Sequence, residues 1–221
     1  MATILITGAN RGIGLELARQ YEAAGDTVIR TMRDPDKAEP EIGTVLPLDV
    51  TDEASVEALA AALKGQAIDL LINNAGIAGP SRQSSTDMDF DGFAAVLDAN
   101  VLGPLRVTQA LLPNLRKARG ARIAVISSKM GQLATALPGH VAYRASKAAV
   151  NKVFQVLATD LTAEGIAVAM LHPGWVRTDM GGAGADIDVA TSAAGIRAVL
   201  DKLDMTTTGR FTTYAGEALE W

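Results

Sequence analysis

Thr3-Ile-Leu-Ile-Thr7-Gly8-Ala9-Asn10-Arg11-Gly12-Ile13-Gly14 reads as three things in succession: an apolar strand, a glycine-rich turn and the first turn of an amphipathic helix. Glycine allows the tight turn and lets backbone N–H groups come close to a pyrophosphate. The helix N-terminus then stabilises that anion through its unpaired donors and its dipole. In this strand–turn–helix context Gly8, Asn10, Arg11, Gly12, Ile13 and Gly14 form a candidate dinucleotide phosphate loop.

Outward from this loop the pattern alternates. Short apolar runs at Thr3–Thr7, Thr27–Met32, Thr44–Leu48, Ile68–Asn73, Ile123–Ser127 and Val168–His172 read as strands. Longer periodic runs at Ile13–Ala24, Asp52–Lys64, Phe93–Lys117, Tyr143–Glu164 and Val189–Lys202 read as helices, and Arg210–Thr213 as a last strand. Such alternation predicts an α/β fold, a Rossmann-type doubly wound parallel sheet in three layers with helices on both faces. The strand runs are nearly all apolar rather than alternating, as expected of a sheet covered on both faces. Thr51 ahead of Asp52 and Glu53 reads as a helix N-cap, and Gly181-Gly-Ala-Gly184 as a mobile loop. No linker or repeat interrupts the pattern, so residues 1–221 are expected to form one domain.

Composition removes several function classes. No run approaches the ~20 apolar residues of a membrane span, and the N-terminal segment lacks a secretion-signal pattern. The absence of cysteine excludes thiol nucleophiles and cysteine-ligated zinc, and it fits a cytoplasmic setting. A net charge of −5 without basic blocks gives nucleic acid no footing. His140 and His172 lack metal-ligand spacing and are read as structural, so no metal is expected. A serine-hydrolase elbow, Gly-x-Ser-x-Gly, is missing.

Chemistry is suggested by Tyr143-Arg-Ala-Ser-Lys147. The four-residue spacing puts phenol and amine on one helix face, a turn apart. An ammonium ~4–5 Å from a phenolate lowers the tyrosine pKa by roughly two units, into reach of acid–base work. Asn100, a turn ahead of Pro104, marks a possible helix kink that holds water.

The Gly8/Gly12/Gly14 spacing together with Tyr143/Lys147 resembles the short-chain dehydrogenase/reductase family over almost the whole chain. Further matches follow in order: Asp49-Val50, Asn73-Asn74-Ala75-Gly76, Asn100, Ser127-Ser128, and Pro173-Gly174 with Thr178. The compact length, Arg33-Asp-Pro35 and the Phe211…Gly216…Trp221 ending look most like its C-factor and sniffer-type carbonyl reductase branch. The resemblance implies an oxidoreductase that reduces an aldehyde or ketone to an alcohol, with Tyr143 giving the proton, Ser128 bonding the same oxygen and Lys147 tuning the phenol while reaching the nicotinamide ribose, so that Tyr143 and Lys147 also count among the cofactor-binding residues. It also implies that Asn100 links Lys147 to a relay water. Asp49 and Val50 would hold the adenine, Asn74, Ala75 and Gly76 would pass the adenosine ribose, and Pro173, Gly174, Val176 and Thr178 would line the nicotinamide. Alignment of Ser-Ser-x-x-Gly131 favours Ser128 over Ser127, while a long Met130–Val141 loop leaves that choice open.

An NAD-selective site places an acid at the end of the second strand. Thr31-Met32-Arg33 stands there instead, and Arg33 with Arg11 suits a 2′-phosphate, so NADP(H) is expected in preference to NAD(H). The family likeness further implies a homo-oligomer, dimer or tetramer. A short segment between Pro173 and Val189 suggests an open pocket that takes varied small carbonyl substrates. The competing reading is an NADP(H)-binding regulatory or signalling protein with incidental turnover; sustained NADPH oxidation with carbonyls separates the two.

Overall fold

The computed structural model of the chain describes residues 1–39, 42–135 and 137–221. Strands β1 (Thr3–Thr7), β2 (Thr27–Met32), β3 (Thr44–Pro47), β4 (Leu70–Asn73), β5 (Arg122–Ile126), β6 (Ala167–His172) and β7 (Arg210–Thr213) form one sheet. Its order is β3-β2-β1-β4-β5-β6-β7, with every pairing parallel. Successive residues of β1 go to opposite faces, as the strand period of two demands. Leu5 packs into one apolar cluster and Ile4 and Ile6 into the other. The Leu5 side is covered by α2 (Glu53–Ala62), α4 (Gly103–Leu115) and α5 (Val141–Asp160), through Val56, Leu111 and Phe154. The other side is covered by α1 (Gly12–Ala23) and α6 (Val189–Leu200), through Leu17 and Ile196. Phe154 is fully buried, and burying a side chain of that size contributes about 2–3 kcal/mol.

The sheet grows leftward from β1 to β3, then the chain crosses back to place β4 on the other side of β1. The loops after β1 and β4 therefore part in opposite directions and leave a crevice at the carboxyl ends of the strands.

Two local readings need correction. The helix expected over Phe93–Lys117 is split into α3 (Phe90–Leu97), a π-helical turn at Asp98–Leu102, and α4. Pro104 stands at the start of α4, where its missing N–H costs no ladder bond, and the extra residue of the π-turn precedes it. The cap of α2 is Asp52, whose side chain accepts from the Ala54 N–H, rather than Thr51. Thr51 is engaged elsewhere: its N–H and hydroxyl both donate to Asp49 Oδ1, at 2.9 and 2.7 Å.

Candidate active site

The glycine loop after β1 and the Asn74 segment after β4 form the two lips of the crevice. Gly8 and Gly12 hold positive φ of 64° and 56°, a region open to glycine at little cost. The close approach is as restrictive as the turn. A Cβ on Gly8 would lie 2.8 Å from Ala75 Cα, and one on Gly14 would lie 2.4 Å from Asn74 Nδ2. Thr7 joins the lips: its Oγ1 accepts the N–H groups of Asn74 and Ala75, each at 3.0 Å, while Asn74 Nδ2 donates to the Thr7 and Gly8 carbonyls. Arg11, the residue before α1, is extended and its side chain does not cap the helix. The first-turn N–H groups of α1 thus stay free to meet an anion, which is the arrangement a pyrophosphate needs.

At the end of β2 Arg33 is exposed, and Asp34 pairs with Lys37 at 2.7 Å. The field of Arg33 acts instead on Asp49, whose carboxyl is held below its usual range mainly by its bonds from Thr51. Arg11 forms an ion pair with Asp179, which spans from the glycine loop to the segment after β6. Beneath the second strand lies a group the sequence reading passed over. Arg30 is fully buried and donates to the carbonyls of Ile42 and Glu39, pinning the segment that follows Arg33.

The structure brings Tyr143, Ser128, Lys147 and Asn100 together at the same end of the sheet. Ser127 and Ser128 diverge. Ser127 Oγ donates into the core, to Asn151 Oδ1 at 2.5 Å, whereas Ser128 stands beside the Tyr143 phenol and its Oγ accepts from the Met130 N–H at 3.1 Å. Gly131 lets the serine loop press on α5, since a Cβ there would fall 2.6 Å from the Lys147 carbonyl carbon. Lys147 is buried, lies 5.5 Å from the Tyr143 ring centre, and donates to the Ile126 carbonyl at 2.9 Å. Burial pushes its pKa down to about 8.

The electrostatics differ from the sequence expectation in one respect. Burial raises the Tyr143 pKa above its ordinary value, and Ser128 pulls it back in part, with no matching contribution from Lys147. The ammonium lies over the ring and spends a proton on a backbone carbonyl, so desolvation of the phenol dominates. Asn100 sits in the π-turn and is buried; its Oδ1 accepts from the Ile77 N–H at 2.8 Å, and its Nδ2 donates to the Ile77 carbonyl and to Ser146 Oγ. Gly76 lies against this group, for a Cβ on it would be 3.0 Å from Asn100 Oδ1.

Behind β6, Gly174 has φ 89°, and Val176 is buried and bridged to Ile187. The bonds Arg177 N–H to Ile187 and Ile187 N–H to Trp175 close the intervening residues into a tied loop. The Trp175 indole N–H donates to the Gly181 carbonyl, and Thr178 Oγ1 accepts from the Gly181 N–H. Thr178 also faces Gly12 across the crevice. The Pro173 carbonyl accepts from Ser192, which anchors α6 there. His172 is buried and held neutral at pH 7, its pKa pushed down to about 4 by burial and by Lys129. The Met130–Val141 loop flanks Ser128, with position 136 outside the described residues. Among the described residues no cluster of His, Cys, Asp or Glu can hold a metal ion, and no helix is long and apolar enough to cross a membrane.

The family model described as short chain dehydrogenase matches residues 2–187. The C-signal protein of Myxococcus xanthus is 44% identical over 155 residues, covering 70% of this chain and 93% of that protein. The 1-hydroxy-2-glutathionyl-2-methyl-3-butene dehydrogenase of Rhodococcus sp. (strain AD45) is 36% identical over the full length of both. Among solved structures, NADPH-bound carbonyl reductase from chicken fatty liver has a TM-score of 0.93 at 34% identity, covering 100% of this chain and 99% of that one. Carbonyl reductase Sniffer of D. melanogaster has a TM-score of 0.91 at 31% identity over all of both chains.

Proposed function

The chain belongs to the short-chain dehydrogenase/reductase family, and from that premise we propose that it is an NADPH-dependent reductase of small aldehydes and ketones in which Tyr143 is the acid. The observation that carries this reading is the Tyr143 phenol beside Ser128, with the buried Lys147 ammonium 5.5 Å from its ring, at the mouth of a crevice whose glycine loop leaves helix N–H donors free among the described residues. When bound, the reduced nicotinamide would supply the hydride. The residues of the chain handle the oxygen: Ser128 donates a hydrogen bond to the substrate carbonyl, and the phenol gives it the proton as negative charge builds there. Lys147 keeps a positive charge beneath the ring, and the Asn100–Ile77 bonds hold the adjoining loop against it. Gly8, Asn10, Arg11, Gly12, Ile13 and Gly14 would carry the phosphates, Asp49, Val50, Asn74, Ala75 and Gly76 the adenosine, and Pro173, Gly174, Val176 and Thr178 the nicotinamide.

Arg33 would give the preference for the 2′-phosphate. A charge-assisted bond of ~1.5–3 kcal/mol corresponds to roughly 10–100-fold in affinity. Arg33→Asp should lower kcat/KM for NADPH by that factor and raise it for NADH. An unchanged ratio of the two cofactors in steady-state kinetics removes Arg33 from this role.

The decisive experiment incubates the purified protein with a panel of aldehydes and ketones, with NADPH and NADH side by side. Oxidation of NADPH by several members of the panel is expected, faster than that of NADH. A protein that binds no dinucleotide and consumes none with any carbonyl would refute the proposal; one strongly preferred substrate would refute the open pocket.

A further inference from the structure

Helix α5 begins without a cap of its own. His140, just before it, is left-handed (φ 53°) and its side chain makes no capping bond. The first-turn N–H groups must therefore find partners elsewhere. Gln83 supplies two of them from a distant part of the chain. Its backbone carbonyl accepts from the Val141 N–H at 2.9 Å, and its side-chain Oε1 accepts from the Tyr143 N–H at 3.2 Å. Its Nε2 donates to the carbonyls of Ala78 and Pro80, at 3.0 and 2.8 Å. The residue is 8% exposed, and Gly79, at φ 94°, bends around the amide so closely that a Cβ there would lie 3.2 Å from Nε2.

The loop that Gln83 secures starts at Ile77, which Asn100 holds by both its N–H and its carbonyl. Asn100 also donates to Ser146 Oγ, and Ser146 Oγ donates to the Tyr143 carbonyl at 2.7 Å. Tyr143 is thereby gripped at both ends of its backbone, at the N–H by Gln83 and at the carbonyl through Ser146.

We propose that Gln83 is a positioning residue for Tyr143, a helix cap supplied from another segment that fixes where the phenol stands relative to Ser128. The inference rests on Tyr143 being the proton donor. Rates of proton transfer are steep in geometry, and a misplacement of ~1 Å costs on the order of 100-fold. An open cleft of about 350 Å³, lined by Pro80, Gln83 and His140, lies directly outside. Without the Gln83 amide, water from that cleft would satisfy the Tyr143 N–H but would not hold it in one place.

The test compares Gln83→Met, Gln83→Ala and Tyr143→Phe in the full chain with NADPH and a test aldehyde. Methionine keeps length and removes the side-chain bonds; alanine removes them and leaves room for water. The expected result for both Gln83 variants is a 10–100-fold lower kcat, with the KM and calorimetric Kd for NADPH within twofold of wild type. Faster hydrogen exchange at the Tyr143 amide should accompany it. A kcat within twofold of wild type in Gln83→Met, or a loss shared equally by NADPH binding, would overturn the inference while a dead Tyr143→Phe leaves the proposed function standing. Full turnover by Tyr143→Phe would overturn both. If Gln83→Met does not fold, Gln83→Ala decides by the same readouts: low kcat with unchanged NADPH binding and a fast-exchanging Tyr143 amide supports the role, and a kcat within twofold of wild type rejects it.

Discussion

Tyr143→Phe should lower kcat by ~10²–10⁴, the range that a positioned general acid contributes, while the Kd for NADPH stays within about twofold. The substitution takes away one oxygen. The ring over which Lys147 lies is kept, as are the backbone bonds to Gln83 and Ser146. Ser128 remains as a hydrogen-bond donor, so the residual rate measures polarisation of the carbonyl without proton delivery. Steady-state turnover with a test aldehyde, paired with calorimetric titration of NADPH, checks both halves. A kcat within threefold of wild type would remove Tyr143 from the reaction.

Lys147→Met should do something opposite to stability and to activity. The ammonium is buried, and its pKa falls from 10.5 to about 8, a burial cost of ~3 kcal/mol at neutral pH. Below pH 8 both the folded and unfolded chains carry this proton and the cost is present in full. Between pH 8 and 10.5 the folded chain gives up the proton first, so the unfolded state binds more protons and wild-type stability gains with rising pH. Methionine has similar length and carries no charge, but it leaves the Ile126 carbonyl without its partner, a loss of ~1.5–3 kcal/mol for a bond from a charged donor. The balance is a gain of ~0.5–2 kcal/mol at pH 7, or a Tm higher by roughly 1–8 °C for a chain of this size. The same variant should lose ~100-fold or more in kcat, because Lys147 would no longer hold the nicotinamide ribose in place beside the phenol. Thermal unfolding at pH 7 and pH 10 with parallel rate assays tests the pair; a variant no more stable than wild type at pH 7 would show that the lysine is not a buried cost.

Much of this architecture is local enough to read from the chain. The bounds of β1, β2 and β7 coincide with the runs read from the sequence, because a strand covered on both faces is mostly apolar or β-branched, with Arg30 in β2 the buried exception. The glycine turn is legible since left-handed φ is a property of single residues. Tyr143 and Lys147 are legible as a pair because the helix repeat alone brings them to one face. Other features depend on partners remote in the chain. The choice between Ser127 and Ser128 turns on Asn151, and Arg11 meets Asp179. The Gln83 cap has no local signature at all. The irregularity at Asp98–Leu102 was legible as a kink at Asn100 ahead of Pro104, but its π-helical form was not, since a helical pattern continues on both sides of a one-residue insertion. The position of Lys147 was legible but its effect on the phenol was not, because desolvation depends on the whole surrounding packing.

The parallel sheet also governs when the crevice comes into being during synthesis. Its walls are Gly8–Gly14, Asn74–Gly76 and the segment after β6, and β1 cannot pair with β4 until Leu70 has emerged. Helix α1 is held from the far end of the chain, where Arg197 donates to the Gln20 carbonyl. At ~5–20 residues per second on the ribosome, the glycine loop waits roughly ten to thirty seconds for the segment after β6. A nascent chain that ends before the segment after β6 therefore has no complete pocket, and a nucleotide can stabilise this fold only once that segment has emerged.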